Sequence, residues 1–156
     1  LAAAVAARLA QTWGTRAPRV VVIEPEAADC LFQSARHGRL TEVDIQEESL
    51  MAGLSCGEPS VLAWQILQAT ARDFVRLPDT LVAPSMWRLA NPLGDDEPVV
   101  AGESAVPGVA CLMAAAQQPE LKQVLGLDEH STVLVFGTEG ATDAEIYRQL
   151  LTQGAI

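Results

Sequence analysis

Lysine is nearly missing from this sequence. Of ten Lys and Arg residues only one is a lysine, Lys122 in "QQPELKQVLG". It lies among Gln and Glu in a short amphipathic stretch, where an ammonium stays solvated and has no setting for covalent chemistry. The basic residues are unclustered and outnumbered by twenty acids, and a formal net charge of −10 makes a poor partner for nucleic acid or for an anionic membrane surface. No apolar run approaches the roughly 20 residues of a membrane helix. The first residues lack the basic start and polar cleavage region of a signal peptide. GxSxG, HExxH and Walker A patterns do not occur. The three cysteines, Cys30, Cys56 and Cys111, form no CxxC or Cys/His spacing, so no metal site is signalled. An odd count in a chain this size reads as cytosolic and reduced, with each cysteine a small buried hydrophobe. A Cys30–Cys56 bridge stays open, since each flanks a loop and sequence does not set their separation.

What is present is a globular chain: 156 residues, 49% hydrophobic and 19% charged, enough for one domain with a core. Leu1, Val5 and Leu9 mark one stripe of a helix over 1–13 that ends at Gly14. No initiator Met and no capping residue precede Leu1, so a preceding segment is expected. "PRVVVIEP" reads as a strand buried on both faces, and "EAADCLFQSARHG" as a helix closed by Gly38. The stretch "RLTEVDIQEESLMAGLSCGEPS" is irregular. A helix is predicted from Pro59 to about Thr70, then a short strand "DFVRLP". "DTLVAPSMWRLAN" is helical with Asp79 as its cap, kinked or split by Pro84. "EPVVAGES" predicts a second buried strand leading into helix 104–117, with Pro107 in its first turn. "PELKQVLG" is a short helix, "STVLVFG" a last strand, and "TDAEIYRQLLTQG" a last helix capped by Thr142 or Asp143. Strand–helix alternation of this kind predicts an α/β fold of three layers, a mainly parallel sheet flanked by helices.

Parallel sheets place ligands beyond the carboxyl ends of their strands. Two such exits carry polar residues. In "VVAGESAVPG", either Ser104 is the helix cap and Glu103 decorates the turn, or Glu103 projects into a site. In "VLVFGTEGATD", Gly137 and Gly140 let the backbone approach a ligand, with Thr138 and Glu139 at the mouth, or the stretch is an ordinary capped connection. Gly53 and Gly57 in "MAGLSCGEPS" form a glycine-containing loop that could hold a cofactor edge. His37, at a helix C-terminus, and His130, in an acidic loop, offer little for catalysis. Trp13, Trp64 and Trp87 all fall in helices and read as packing residues. The residues by themselves reach an α/β ligand-binding unit and no particular reaction.

At these stretches the sequence resembles a known family. "VVIEPEAADCLFQSARHGRL", "MAGLSCGEPSVLAW", "VAGES" and "TEGATD" together resemble the diaminopropionate ammonia-lyases, pyridoxal-phosphate enzymes of fold type II related to the tryptophan synthase β subunit. The resemblance runs from Leu1 to about Leu151. It implies that residues 1–156 are the C-terminal part of the large cofactor domain, with the Schiff-base lysine and the phosphate loop on a preceding segment. It further implies pyridoxal 5'-phosphate as cofactor and α,β-elimination of 2,3-diaminopropionate to pyruvate and ammonia. Met51, Ala52 and Gly53 would pass along one edge of the cofactor ring, Glu103 would stand beside it, Thr138 would hydrogen-bond the pyridine nitrogen, and Gly137 would be a further cofactor-binding residue. No catalytic residue and no metal ligand is implied within this chain. Glu24 and Asp29 are similar to a cation site of serine racemase but one residue out of register, which favours a structural acidic turn. The partners implied are a small amino-acid substrate and a second copy in a homodimer, in the cytoplasm, without nucleic acid or membrane. A serine/threonine dehydratase-like enzyme and a non-catalytic ligand-binding or interaction domain are the alternatives.

Overall fold

Alanine-rich sequence sets the first element of the structure, a computed structural model that describes residues 1–155. Helix α1 spans Ala2–Trp13 and stops at Gly14, whose φ of 53° suits a residue without Cβ. The chain divides into two compact units, Leu1–Ser49 with Leu54–Arg76, and Leu50–Gly53 with Leu77–Ile156.

The first unit holds β1 (Val21–Pro25), α2 (Cys30–His37), α3 (Val61–Thr70) and β2 (Asp73–Leu77). The two strands pair in a small parallel sheet. Ala6, Val22 and Leu67 form its buried centre, with Val20, Leu31, Ala71 and Phe74 packed around them. The ring of buried Trp64 lies 6.1 Å from that of Phe74. Two ion pairs clasp the strands at their flanks. Arg19 grips Asp73 through Nε at 2.5 Å and Nη2 at 2.8 Å, and Arg76 Nη1 reaches Asp29 at 3.2 Å. Arg76 also stacks its guanidinium 5.4 Å from the Phe32 ring centroid. Helix α3 starts at Val61, two residues later than expected, because Ser60 takes the cap: its hydroxyl accepts the Ala63 N–H at 3.3 Å.

The second unit is helical: α4 (Val82–Ala90), α5 (Pro107–Gln117), α6 (Pro119–Leu125) and α7 (Ala144–Gln153). Val82, Met86, Val106, Ala110, Cys111, Ala114 and Leu150 make its core. Pro84 neither kinks nor ends α4. A tight turn at Asp79–Leu81 precedes the helix, which leaves Pro84 in the first α turn, where its missing N–H costs no bond. Asp79 does not cap this helix; its carboxylate accepts the Leu50 N–H at 2.7 Å. Asp143 caps α7, accepting N–H bonds from Glu145 at 2.8 Å and Ile146 at 3.0 Å.

Two of the four expected strands are corrected. The stretches 97–102 and 131–137 run without regular pairing, and apart from buried Ala101 and Gly102 they are exposed: Val100 is 61% exposed, Leu134 73% and Phe136 51%. A strand is defined by its neighbour's ladder. Among the described residues no backbone hydrogen bond joins these two stretches; the Gly102 N–H bonds instead to the Glu139 carbonyl, just past the second, at 3.0 Å. One smaller expectation also fails: Cys56 is exposed, not buried. The α/β class stands, in the form of a helix-rich fragment with a small parallel sheet.

Candidate functional site

Three loop segments of the second unit meet at one residue, Ser104. The first is Met51–Gly53, of which Met51 is buried, at 2% exposure, and Ala52 and Gly53 are open to solvent. The second is the tight turn Glu103–Ala105 that feeds α5. The third is 137–140, the exit of the extended stretch "STVLVFG". The Gly53 N–H donates to Ser104 Oγ at 3.0 Å. The Ser104 N–H donates to Glu139 Oε2 at 2.5 Å. The Glu139 carbonyl in turn accepts from Gly102 N–H at 3.0 Å. The backbone comes close throughout: a Cβ on Gly137 would sit 3.1 Å from the Ala105 carbonyl oxygen.

One of the two sequence readings made Ser104 the cap of α5. It is not the cap, because its hydroxyl is taken by Gly53 and α5 opens on Pro107, a residue with no N–H to satisfy. The expected site residues fall as follows. Gly53 touches the turn next to Glu103, and Gly137 packs on Ala105. Thr138 is exposed, and Glu103 is half-buried beside Ser104. Among the described residues neither the Thr138 hydroxyl nor the Glu103 carboxylate has a hydrogen-bond partner, so both are free for a ligand. Sequence reasoning missed Glu139 as the residue that ties two of the segments. Its place between Gly137 and Gly140 was the available signal, since glycines on both sides allow close approach.

The acids of the first unit have a different task. Buried Glu24 accepts N–H bonds from Leu31 at 3.0 Å and Phe32 at 2.7 Å, satisfying the free donors of α2's first turn. Burial pushes its carboxyl up from the usual range, against those bonds. Asp29 accepts from Gln33 at 2.7 Å and pairs with Arg76. The pair is thus a structural acidic turn, and among the described residues no group of three His, Cys, Asp or Glu is placed to hold a metal. The Cys30 thiol, buried and facing Glu24 at 3.7 Å, is pushed up to about 12 by desolvation and that neighbouring charge. An open groove of about 380 Å³ in this unit, lined by Ala6, Leu9, Gly14, Arg19 and Thr70 among others, includes none of the candidate residues. Lys122, His37 and His130 are all exposed.

A junction of three loops carrying a hydroxyl and a carboxylate without partners among the described residues suits a flat, polar-edged ligand. Residues 1–137 match the family described as pyridoxal-phosphate dependent enzyme, and the chain belongs to it. Among its relatives is the diaminopropionate ammonia-lyase of Escherichia coli K12, 37% identical over 137 residues, which make up 86% of this chain and 34% of that protein. A crystal structure of the holo Escherichia coli diaminopropionate ammonia-lyase superposes with a TM-score of 0.88 at 35% identity, over 98% of this chain and 38% of that one. Its complex with D-serine gives 0.89 at 34% identity, over 99% of this chain and 39% of that one. The chain thus spans about a third of the length of the curated relatives it matches. The fold is that of the fold-type II enzymes.

Proposed function

We propose that the polypeptide carrying this chain is a pyridoxal-phosphate-dependent ammonia-lyase that converts 2,3-diaminopropionate to pyruvate and ammonia by α,β-elimination. In this reading residues 1–156 are the C-terminal part of the large cofactor domain. The observation that carries it is the meeting at Ser104 of the three segments named from the family resemblance. Their residues fit the cofactor. Ala52 and Gly53 are small and exposed, so a planar ring can lie along their edge. An added Cβ at Gly53 would come 2.9 Å from the Ser104 hydroxyl and one at Gly137 3.1 Å from the Ala105 carbonyl oxygen, so small residues suit both positions.

The bound cofactor supplies an electron sink for negative charge at the substrate Cα. This chain's residues set the terms on which it does so. The Thr138 hydroxyl would hold the pyridine nitrogen, and a neutral partner there would leave that nitrogen largely unprotonated and limit its electron withdrawal. That suits elimination, in which the leaving group departs quickly. Gly137 would let the backbone approach the ring, Glu103 would stand beside it, and buried Met51 would pass with Ala52 and Gly53 along its edge. No lysine lies in the three segments, and the single lysine, Lys122, is on α6. The lysine that holds the cofactor therefore belongs outside residues 1–156 in this reading. A homodimer in the cytoplasm completes it, checked by sedimentation and cell fractionation.

A second reading, a serine/threonine dehydratase-like enzyme, is favoured by the D-serine held by the Escherichia coli relative. Steady-state pyruvate formation from diaminopropionate and from serine separates the two. A higher kcat/KM on diaminopropionate supports the ammonia-lyase, and a preference for serine replaces it with the dehydratase. Intact mass after borohydride reduction tests the cofactor: a pyridoxyl adduct outside residues 1–156 is expected, and an adduct on Lys122 would overturn the site.

A further inference from the structure

We infer that Glu139 is a positioning residue of the cofactor site, whose carboxylate fixes the spacing between Thr138 and Glu103 by holding the backbone of the 102–104 turn. The inference rests on the assignment of 51–53, 103–105 and 137–138 to the cofactor, and adds a residue that assignment does not contain.

The geometry is that of a double clasp. The Glu139 carbonyl accepts the Gly102 N–H at 3.0 Å while its side chain accepts the Ser104 N–H at 2.5 Å. One residue thus secures both sides of Glu103. Thr138 immediately precedes Glu139, and Glu103 immediately precedes Ser104. A bond between the later members of these two pairs sets the distance between the earlier ones. Thr138 and Glu103 have no side-chain bond of their own among the described residues, so their placement depends on the backbone beneath them. The clasp extends one step further through Ser104, whose hydroxyl accepts the Gly53 N–H at 3.0 Å and so sets the third segment.

The packing is specific to this arrangement. A Cβ on Gly102 would lie 2.8 Å from both Cγ and Oε2 of Glu139 and would run into the Gly140 carbonyl oxygen. The turn thus keeps glycine where the Glu139 side chain crosses it. A carboxylate accepting from a backbone N–H is a charge-assisted bond, stronger than a neutral one. Half-buried Glu139 makes that bond with partial shielding from solvent.

The test uses the full polypeptide loaded with pyridoxal phosphate, in the variants Glu139→Ala and Glu139→Gln, with Glu145→Gln on α7 as control. Two readouts are taken: the dissociation constant of the cofactor from its absorbance, and hydrogen exchange of the Ser104 amide. Glu139→Ala is expected to raise the cofactor dissociation constant about tenfold or more and to speed Ser104 exchange by a similar factor. Glu139→Gln keeps an acceptor oxygen without the charge and should fall between Ala and wild type. The lowered kcat of each should recover in that same order, with KM for the amino acid little changed. Folding is checked by the melting transition, and Glu139→Gln serves if Glu139→Ala is too unstable. The inference is overturned if wild type binds the cofactor and both variants match the Glu145→Gln control, or if Ser104 exchange quickens without any change at the cofactor. A wild-type protein that shows no cofactor absorbance overturns the site assignment itself, a result distinct from either.

Discussion

Replacing Gly102 with alanine probes the site with one methyl group. The backbone there has φ −79° and ψ −179°, which alanine adopts freely, so any penalty is steric and not conformational. The new Cβ would stand 2.8 Å from Cγ and Oε2 of Glu139 and closer still to the Gly140 carbonyl oxygen. The Glu139 side chain can swing aside, but only by giving up its bond to the Ser104 N–H. The Gly140 carbonyl belongs to the backbone and moves only with its loop. Overpacking of this kind costs about 1–3 kcal/mol. Losing the bond from the Ser104 N–H to the Glu139 carboxylate adds about 1 kcal/mol. Against this, alanine stiffens the unfolded chain and returns about 0.4–1 kcal/mol. The net is roughly 1–4 kcal/mol of destabilisation. Gly140→Ala is the matched control, since a Cβ at Gly140 meets nothing within 4 Å. It should be neutral or gain a few tenths of a kcal/mol from the unfolded chain. Urea unfolding of the two variants against wild type measures the difference. Equal midpoints for Gly102→Ala and Gly140→Ala would refute the close approach of the two loops.

Three further outcomes follow from the first unit. Burial raises the Glu24 carboxyl pKa, so the folded state binds that proton more tightly than the unfolded state. The contribution of Glu24 to stability therefore falls as pH rises from the ordinary carboxylate range through its raised folded value. The stability of wild type relative to Glu24→Gln should decline across that window, and a pH-independent difference in denaturant unfolding would contradict it. With its thiol pushed up to about 12, Cys30 should resist maleimide in the native state, as should buried Cys111, while exposed Cys56 is labelled; peptide mass mapping decides, and protection of Cys56 would count against the free thiol. Ser60→Ala removes the cap of α3 and should cost about 1 kcal/mol in thermal or urea unfolding, with no cost if the cap is idle.

Local signals in the sequence marked most helices correctly. The 1–13 stripe, Gly38 as the left-handed stop of α2, Pro107 in the first turn of α5 and the cap of α7 all lie where spacing and residue type place them. These features are decided within four or five residues, which is why sequence shows them. The strands are another matter. Val99–Val100 of "EPVVAGES" and the Val133–Phe136 run of "STVLVFG" read as strand, yet they stay unpaired and exposed, because pairing depends on a neighbour that the pattern of one segment cannot specify. The site divides along the same line. Residue type and the family resemblance singled out Met51, Ala52, Gly53, Glu103, Gly137 and Thr138, but neither could say which polar side chain is spent on the scaffold. Ser104 is spent on Gly53 and Glu139 on Ser104, and those bonds join positions 51 and 35 residues apart. Once they are made, the residues still without partners are Glu103 and Thr138. The scaffold uses one polar residue in each of these two loops and leaves the one before it free, so the free pair owes its placement to the spent pair.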